Sequence, residues 1–226
     1  MKSKKIRCII DIERDSYTNI ALDEMFFVRE SFEPVIRFYT WQYPAWTIGY
    51  FQKYSDIKNE NNYPIIRRLT GGLAVLHKND LSYSVIIDDT WPYLYNQEKT
   101  YEAIHNEIKK SLFAVNIICD GNVKFNTGHK DISCVKTFYK DDLFVNGKKV
   151  VGSCQRRRGK KILVEGSIHL KLNYEQIKNF ANIYFNNISK FLNCKFEINS
   201  LTDNELIAAK TLVEQKYNTD KWKGLF

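Results

Sequence analysis

The chain has 226 residues, of which 44% are hydrophobic, enough for a sizeable core in one domain spanning 1–226. No stretch approaches the ~18–20 apolar residues of a membrane helix, and the basic Met1–Lys5 segment lacks the apolar run of a signal peptide, so the reading is cytoplasmic with no membrane partner. The net charge of +8 points to an acidic partner without naming it, and no zinc-finger or RNA-binding motif accompanies the charge, so nucleic acid is not expected.

In chain order, residues 18–30 read as a helix capped by Thr18 or Asn19, with Ala21, Leu22, Met25 and Phe26 on one stripe. Residues 35–52 are rich in aromatic and β-branched types and read as two strands broken at Pro44; 64–67 and 81–87 are further strands. Residues 99–116 carry Tyr101, Ile104, Ile108, Leu112 and Val115 at helical spacing. Strands follow at 142–145, 148–155 and 161–170. Asn146-Gly147 joins the first two as a hairpin, because both residues tolerate positive φ. The basic cluster Arg156-Arg157-Arg158-Gly159-Lys160-Lys161 reads as a solvated turn, with Arg158-Gly159 as a second, weaker turn signal. A helix over 174–192 and a capping box at Thr202–Glu205, opening a last helix to about residue 217, complete the chain. The irregular alternation of helices with hairpin-linked strands predicts an α+β fold: a central mixed or antiparallel sheet flanked by helices.

Five cysteines, at 8, 119, 134, 154 and 194, are odd in number and widely spaced, without a Cys-x-x-Cys pair. Neither a disulfide framework nor a metal site is expected. Three segments carry candidate chemistry. In Arg67–His77 the pair Gly71-Gly72 lets backbone approach a ligand, and an adjacent arginine can hold an anion. On its own, Gly-Gly between strands is equally a plain turn. In Asn146–Gln155, Lys149 stands near the start of a hairpin strand, either as a surface lysine or as a cation beside a carbonyl or thiol. Gly152 would let a substrate chain pass close. Cys134 lies on the 131–135 loop, where a thiolate would be reactive.

Taken together these segments resemble the lipoate/octanoate branch of the biotin/lipoate protein ligase superfamily. Its Asn-x-Ala-Leu-Asp-Glu start is matched by residues 19–24. Its aromatic strand pair is matched by 37–41 and 48–52, its Arg-Arg-x-(Ser/Thr)-Gly-Gly-x-Ala-Val-x-His loop by 67–77, and its Gly-x-Lys-(Ile/Val)-x-Gly-Ser-x-Gln hairpin by 147–155. The resemblance spans roughly residues 17–222. Leu73 and Lys78 replace the third glycine and the acidic residue usual in the ligases, and Cys134 lies thirteen residues before Gly147, as in the cysteine-dependent octanoyltransferases of Gram-positive type. The end of the chain, Lys216–Trp222, also resembles those shorter enzymes. Two departures stand out: Glu165-Gly166-Ser167 where the family has His-Gly-Ser or His-Gly-Thr, and Val135-Lys136-Thr137 after the cysteine.

What the resemblance implies is a two-step transfer. Cys134 takes an octanoyl group from acyl carrier protein as a thioester and passes it to a lysine of a lipoyl-accepting protein, such as glycine cleavage H protein or an E2 domain. Lys149 is the second catalytic residue. Arg68, Thr70, Gly71, Gly72, Ala74, His77, Gly152, Ser153, Gln155, Gly166 and Ser167 bind the substrate. No metal or cofactor is required, and the enzyme acts as a monomer. Two alternatives stay open: an ATP-dependent lipoate- or biotin-protein ligase, and a non-catalytic subunit of a split ligase.

Overall fold

The computed structural model describes residues 4–91, 94, 96–121 and 139–225. Its elements run β1 (Lys5–Arg14), α1 (Ser16–Val28), β2 (Val35–Trp41), β3 (Ala45–Ile48), β4 (Ile65–Arg67), β5 (Val75–His77), β6 (Leu81–Asp88), α2 (Gln97–Ala114), β7 (Leu143–Val145), β8 (Lys148–Arg158), β9 (Lys161–Ile168), α3 (Tyr174–Phe191), β10 (Lys195–Ile198), α4 (Asp203–Leu212) and α5 (Asp220–Lys223). A seven-stranded sheet has the order β10-β1-β2-β6-β9-β8-β7, and a three-stranded sheet has the order β4-β3-β5. In the large sheet β1 pairs parallel with β10 and with β2, and the remaining pairs are antiparallel. The sheet is therefore mixed, as expected of an α+β fold.

Both faces of the large sheet are covered. One apolar cluster joins Phe38, Tyr83 and Val164 of the sheet to Ile104 and Ile108 of α2 and to Phe180, Tyr184 and Phe185 of α3. On the opposite face Ile9, Tyr39 and Leu163 pack on Ile20, Leu22 and Phe26 of α1 and on Ala209 and Tyr217. Burial on both faces explains β1, which is absent from the sequence reading. Its Cys8-Ile9-Ile10 is a continuous apolar run rather than an alternating one, the pattern of a strand covered on two sides.

Two local readings are corrected. The first helix starts earlier than expected, because Asp15, not Thr18 or Asn19, accepts the Thr18 amide as N-cap. The arginines after Gln155 belong to the strand rather than to the turn, although Arg157 and Arg158 are exposed and the turn falls at Gly159 as the Arg158-Gly159 pair predicts. β8 continues through Arg158 and turns at Gly159, while Arg156 donates to the Leu69 carbonyl and Arg157 to the Leu94 and Asn96 carbonyls. The Asn146-Gly147 turn forms as predicted, with φ of 51° and 72°, and Asp120 accepts both of its amides.

Candidate active site

The side chains of one sheet face come in rows. Directly opposed residues on neighbouring strands share a face, so Tyr39, Ser82, Ser167 and Gly152 form one row, and Arg37, Ser84, Glu165 and Cys154 the next. The loop after β4 closes over these rows. Gly72 adopts φ of 83°, and Gly49 lies so close beneath it that a Cβ there would sit 1.9 Å from the Gly72 carbonyl oxygen. The close passage of two backbones therefore sets the position of the Gly71-Gly72 turn.

The result is a narrow cavity of about 50 Å³ whose walls include Trp41, Arg68, Gly72, His77, Lys149, Gly152, Ser153, Gly166 and Ser167. A wider cavity of about 500 Å³ adjoins it, sharing Gly72, Tyr139, Ser153 and Cys154, and is lined further by Gly71, His105, Asp142 and Gln155. Segments separated by some 75 residues thus meet at one place. Of the residues singled out in the sequence, Arg68, Gly72, His77, Lys149, Gly152, Ser153, Gly166 and Ser167 line the narrow cavity, while Gly71 and Gln155 line the wider one. Thr70 and Ala74 are buried behind the walls. Cys134 lies outside the described residues.

Lys149 is not a surface lysine. Its side chain is 3% exposed, and Nζ stands 2.7 Å from Asp142 Oδ2, itself 4% exposed. Burial pushes the Asp142 carboxyl up, and Lys149 pulls it back only in part. Gly152 makes the room, since a Cβ there would lie 2.6 Å from Lys149 Cε and 2.9 Å from Nζ. The result is a fixed cation at the cavity wall, able to stabilise negative charge that develops on a carbonyl oxygen or a sulfur.

The two arginines of the loop divide their work. Arg67 is buried and donates to the carbonyls of Tyr50 and Lys223, tying the C-terminal segment to the small sheet. Arg68 donates to Thr47 Oγ1 and to the Gly71 and Leu73 carbonyls, which braces the glycine turn from the cavity side. His77 stacks on Trp41 at 4.0 Å, with Nε2 2.9 Å from Thr47 Oγ1 and Nδ1 2.7 Å from Asp80 Oδ2. Burial raises the Asp80 carboxyl, but His77 and the Ser167 hydroxyl outweigh it and hold that carboxyl well below the usual range. Both nitrogens of His77 are thus engaged, and its ring offers the cavity a wall rather than a free base.

Sequence reasoning missed Asp142, Cys154 and His105 as members of this neighbourhood, and treated Glu165 only as a departure. Asp142 had one signal: an acidic residue just before the hairpin whose far strand carries Lys149. Cys154 Sγ stands 3.1 Å from Thr70 Oγ1. Glu165 is buried, accepts from Thr70 Oγ1, and has its carboxyl pushed up to about 7 by burial and by the charge of Asp23.

Comparison with known proteins extends the picture. The octanoyltransferase LipM of Bacillus cereus is 30% identical over 216 residues, covering 87% of this chain and 77% of that protein. The octanoyltransferase LipM of Staphylococcus aureus is 30% identical over 94% of this chain and 84% of its own length. In fold, the chain resembles a crystal structure of lipoate-protein ligase A bound with ATP at a TM-score of 0.76, with 20% identity and coverage of 98% and 100%. It likewise resembles the bi-partite lipoate protein ligase of Thermoplasma acidophilum, solved in a study of that ligase and its E2 lipoyl domain, at a TM-score of 0.72, with 19% identity and coverage of 99% and 98%. Residues 15–204 match the lipoyl protein ligase A/B catalytic domain. With its mixed sheet, its Gly-Gly loop and its buried hairpin lysine on one cavity, the chain belongs to the lipoyl protein ligase A/B catalytic-domain family.

Proposed function

We propose that this chain, as one catalytic domain over 1–226, moves an octanoyl group from acyl carrier protein to a lysine of a lipoyl-accepting protein through a thioester on Cys134. The acyltransferase class rests on the octanoyltransferase relatives at about 30% identity over most of the chain. The observation that carries the reading is Lys149, buried against Asp142 at the wall of the cavity that the Gly-Gly loop closes.

Atoms and charges follow simply. The Cys134 thiolate attacks the donor thioester carbonyl, a C–S bond forms, and the carrier's thiolate leaves. Lys149 favours the thiolate and the oxyanion of each tetrahedral intermediate. The acceptor amine then attacks the acyl-enzyme. The new C–N bond replaces the C–S bond, and the amine's proton leaves with the restored cysteine. The reaction needs neither ATP nor a metal, because the thioester supplies the activated acyl group. Arg68, Thr70, Gly71, Gly72, Ala74, His77, Gly152, Ser153, Gln155, Gly166 and Ser167 would form the acyl and carbonyl subsites. A net charge of +8 suits an acidic carrier. Among the described residues no helix is long and apolar enough to cross a membrane, and the reading places the enzyme in the cytoplasm as a monomer.

The test is intact-mass spectrometry after incubation with octanoyl carrier protein, with and without ATP. The expected result is an octanoyl adduct on the enzyme without ATP, lost in Cys134→Ala, and an octanoylated lipoyl domain when acceptor is added. Transfer that survives Cys134→Ala and requires ATP would replace this reading with the ligase one.

A further inference from the structure

Where the sheet meets α2 lies a polar cluster in which Tyr83 and Ser153 meet a histidine, His105, to which the transfer mechanism gives no role. Phe38, Tyr83, Gly166 and Ser153 form the row adjacent to the Glu165 row, and alternation turns their side chains toward α2. There His105 of α2, 3% exposed, meets three partners. Its Nδ1 is 2.5 Å from the backbone carbonyl oxygen of Asp141, its Nε2 contacts Ser153 Oγ, and the Tyr83 hydroxyl is 3.2 Å from the same Nε2. Tyr83 and Ser153 are themselves 3.0 Å apart. Gly166 leaves the space for the Tyr83 ring, since a Cβ there would lie 2.2 Å from its Cζ.

This geometry assigns the tautomer. A backbone carbonyl only accepts, so Nδ1 carries the proton and donates to Asp141. Nε2 then keeps its lone pair toward two hydroxyls, each able to donate to it. The imidazole therefore bridges a strand of the sheet to the backbone one residue before Asp142. Asp142 is the partner of Lys149, and its other neighbour is the Tyr139 amide, which donates to Oδ2 at 2.7 Å. Because Asp141 and Asp142 are adjacent in the chain, holding the Asp141 carbonyl constrains where the Asp142 carboxylate stands.

We propose that His105 is a positioning residue for the transfer. As a neutral Nδ1–H imidazole it clamps the Asp141 carbonyl, and so seats Asp142 where it holds Lys149 at the slot. The proposal rests on the reading above that Lys149 acts on the acyl carbonyl. The surroundings favour the neutral ring. Burial, opposed in part by the hydrogen bond to Asp141 and by its charge and aided by the Lys149 charge, brings the His105 pKa down to about 4. Among the described residues the charged and titratable groups around it are Lys149 and Cys154 of β8, Lys140, Asp141 and Asp142 ahead of β7, Tyr83 of β6, and Glu98, Glu102, Lys109 and Tyr101 of α2, the Tyr101 ring centroid 6.2 Å away. Across the neutral range the clamp therefore does not switch; it is a fixed brace.

Two substitutions separate its ends. An asparagine places an amide N–H about where Nδ1 stands and keeps the bond to Asp141. A glutamine places its amide about where Nε2 stands and keeps only the Ser153 end. Transfer from octanoyl carrier protein to a lipoyl domain is measured for the wild type, His105→Asn and His105→Gln. The expected result is kcat within about threefold of wild type for His105→Asn. For His105→Gln the expectation is a loss of about tenfold or more in kcat, with KM for the donor within about twofold. Two-bond proton–nitrogen NMR of the labelled wild-type imidazole should show a neutral Nδ1–H ring that does not titrate between about pH 5 and 8. Equal activity in His105→Gln and wild type, loss in both variants, or a ring that titrates in that range overturns the proposal. The NMR result stands even where a variant does not fold. A wild type that transfers nothing sinks the transferase reading itself, an outcome recognisable before any variant is made.

Discussion

Two buried charge clusters lie within a few residues of each other on the sheet, and they are built to opposite ends. The first surrounds Arg37, which is fully buried. Its guanidinium donates to Asp11 Oδ2 at 2.8 Å and to Asp23 Oδ1 at 3.1 Å, and it contacts Asn19, while Tyr39 and Ser84 donate to the same Asp23 carboxylate. Every partner is supplied from α1 or the sheet, and none of these carboxylates lines the cavity. The second cluster is the Lys149–Asp142 pair, equally dry but placed at a cavity wall. A closed knot of charge specifies a fold, because breaking it leaves an uncompensated buried ion. The Lys149–Asp142 pair instead stands at the wall of a cavity. The Asn19–Glu24 motif belongs to the closed cluster and its surroundings. Asn19 donates to the Arg14 and Thr40 carbonyls, Asp23 pairs with Arg37, and Glu24 accepts from Lys216 and Tyr217. The motif marks the family through its scaffold rather than through its chemistry.

The sharpest way to break this contrast is Arg37→Met. It leaves Asp23 buried without its cation, while Asp11 keeps Arg14, and we expect a loss of about 3–5 kcal/mol in urea unfolding. A loss below about 1 kcal/mol would mean that the knot does not specify the fold. Lys149→Met should behave in the opposite way. Stability should fall less, because Asp142, already pushed toward its neutral form, can take up a proton. The kcat for octanoyl transfer should drop by about 10²–10³. Steady-state kinetics alongside unfolding curves decide, and a variant that loses stability but keeps its rate would place Lys149 with the scaffold.

A smaller change sharpens the point. Gly152→Ala keeps an ordinary strand backbone, and the atoms its methyl group meets first are the flexible end of Lys149 and, at 3.3 Å, Asp142 Oδ1. Lys149 must move while the fold need not. The expectation is about a tenfold loss in kcat, with the melting temperature nearly unchanged. An unaltered rate would show that Lys149 need not stand where it does.

The smallest effect concerns Glu165, which stands in the same row as Arg37. Its carboxyl rises from an ordinary 4.5 to about 7 in the fold, first by burial and then by the charge of Asp23. Over that window the folded chain still holds a proton that the unfolded chain has released. Stability from this group is therefore full below about pH 4.5, falls as pH rises to about 7, and is level above. Glu165→Gln should flatten that slope in melting temperature measured from pH 5 to 7. An identical slope in the variant would assign it to another group.

Much of this was legible one segment at a time. Helical spacing located α2 and α3, Asn146-Gly147 located the hairpin, and the Gly-Gly loop and Lys149 stood out by residue type and order. These are short-range matters: a period of 3.6 or 2, a residue that tolerates positive φ, a capping oxygen three residues from its amide. The sequence by itself therefore determined the fold class, the hairpin and the residues worth watching. Only the tertiary structure decided which of them serve the scaffold and which serve the cavity. β1 pairs parallel with β2 and β10, and parallel pairing depends on distant strands whose register no local pattern encodes. Arg67 and Arg68 are neighbours of one type, yet one ties down the C-terminal segment and the other braces the glycine turn. The meeting of His105, Asp142, Ser153 and Lys149 joins a helix, a connecting segment and a strand. His105 and Asp142 are unremarkable in their own segments, and the shared chemistry arises because packing against one sheet brings the donors and acceptors within hydrogen-bond reach.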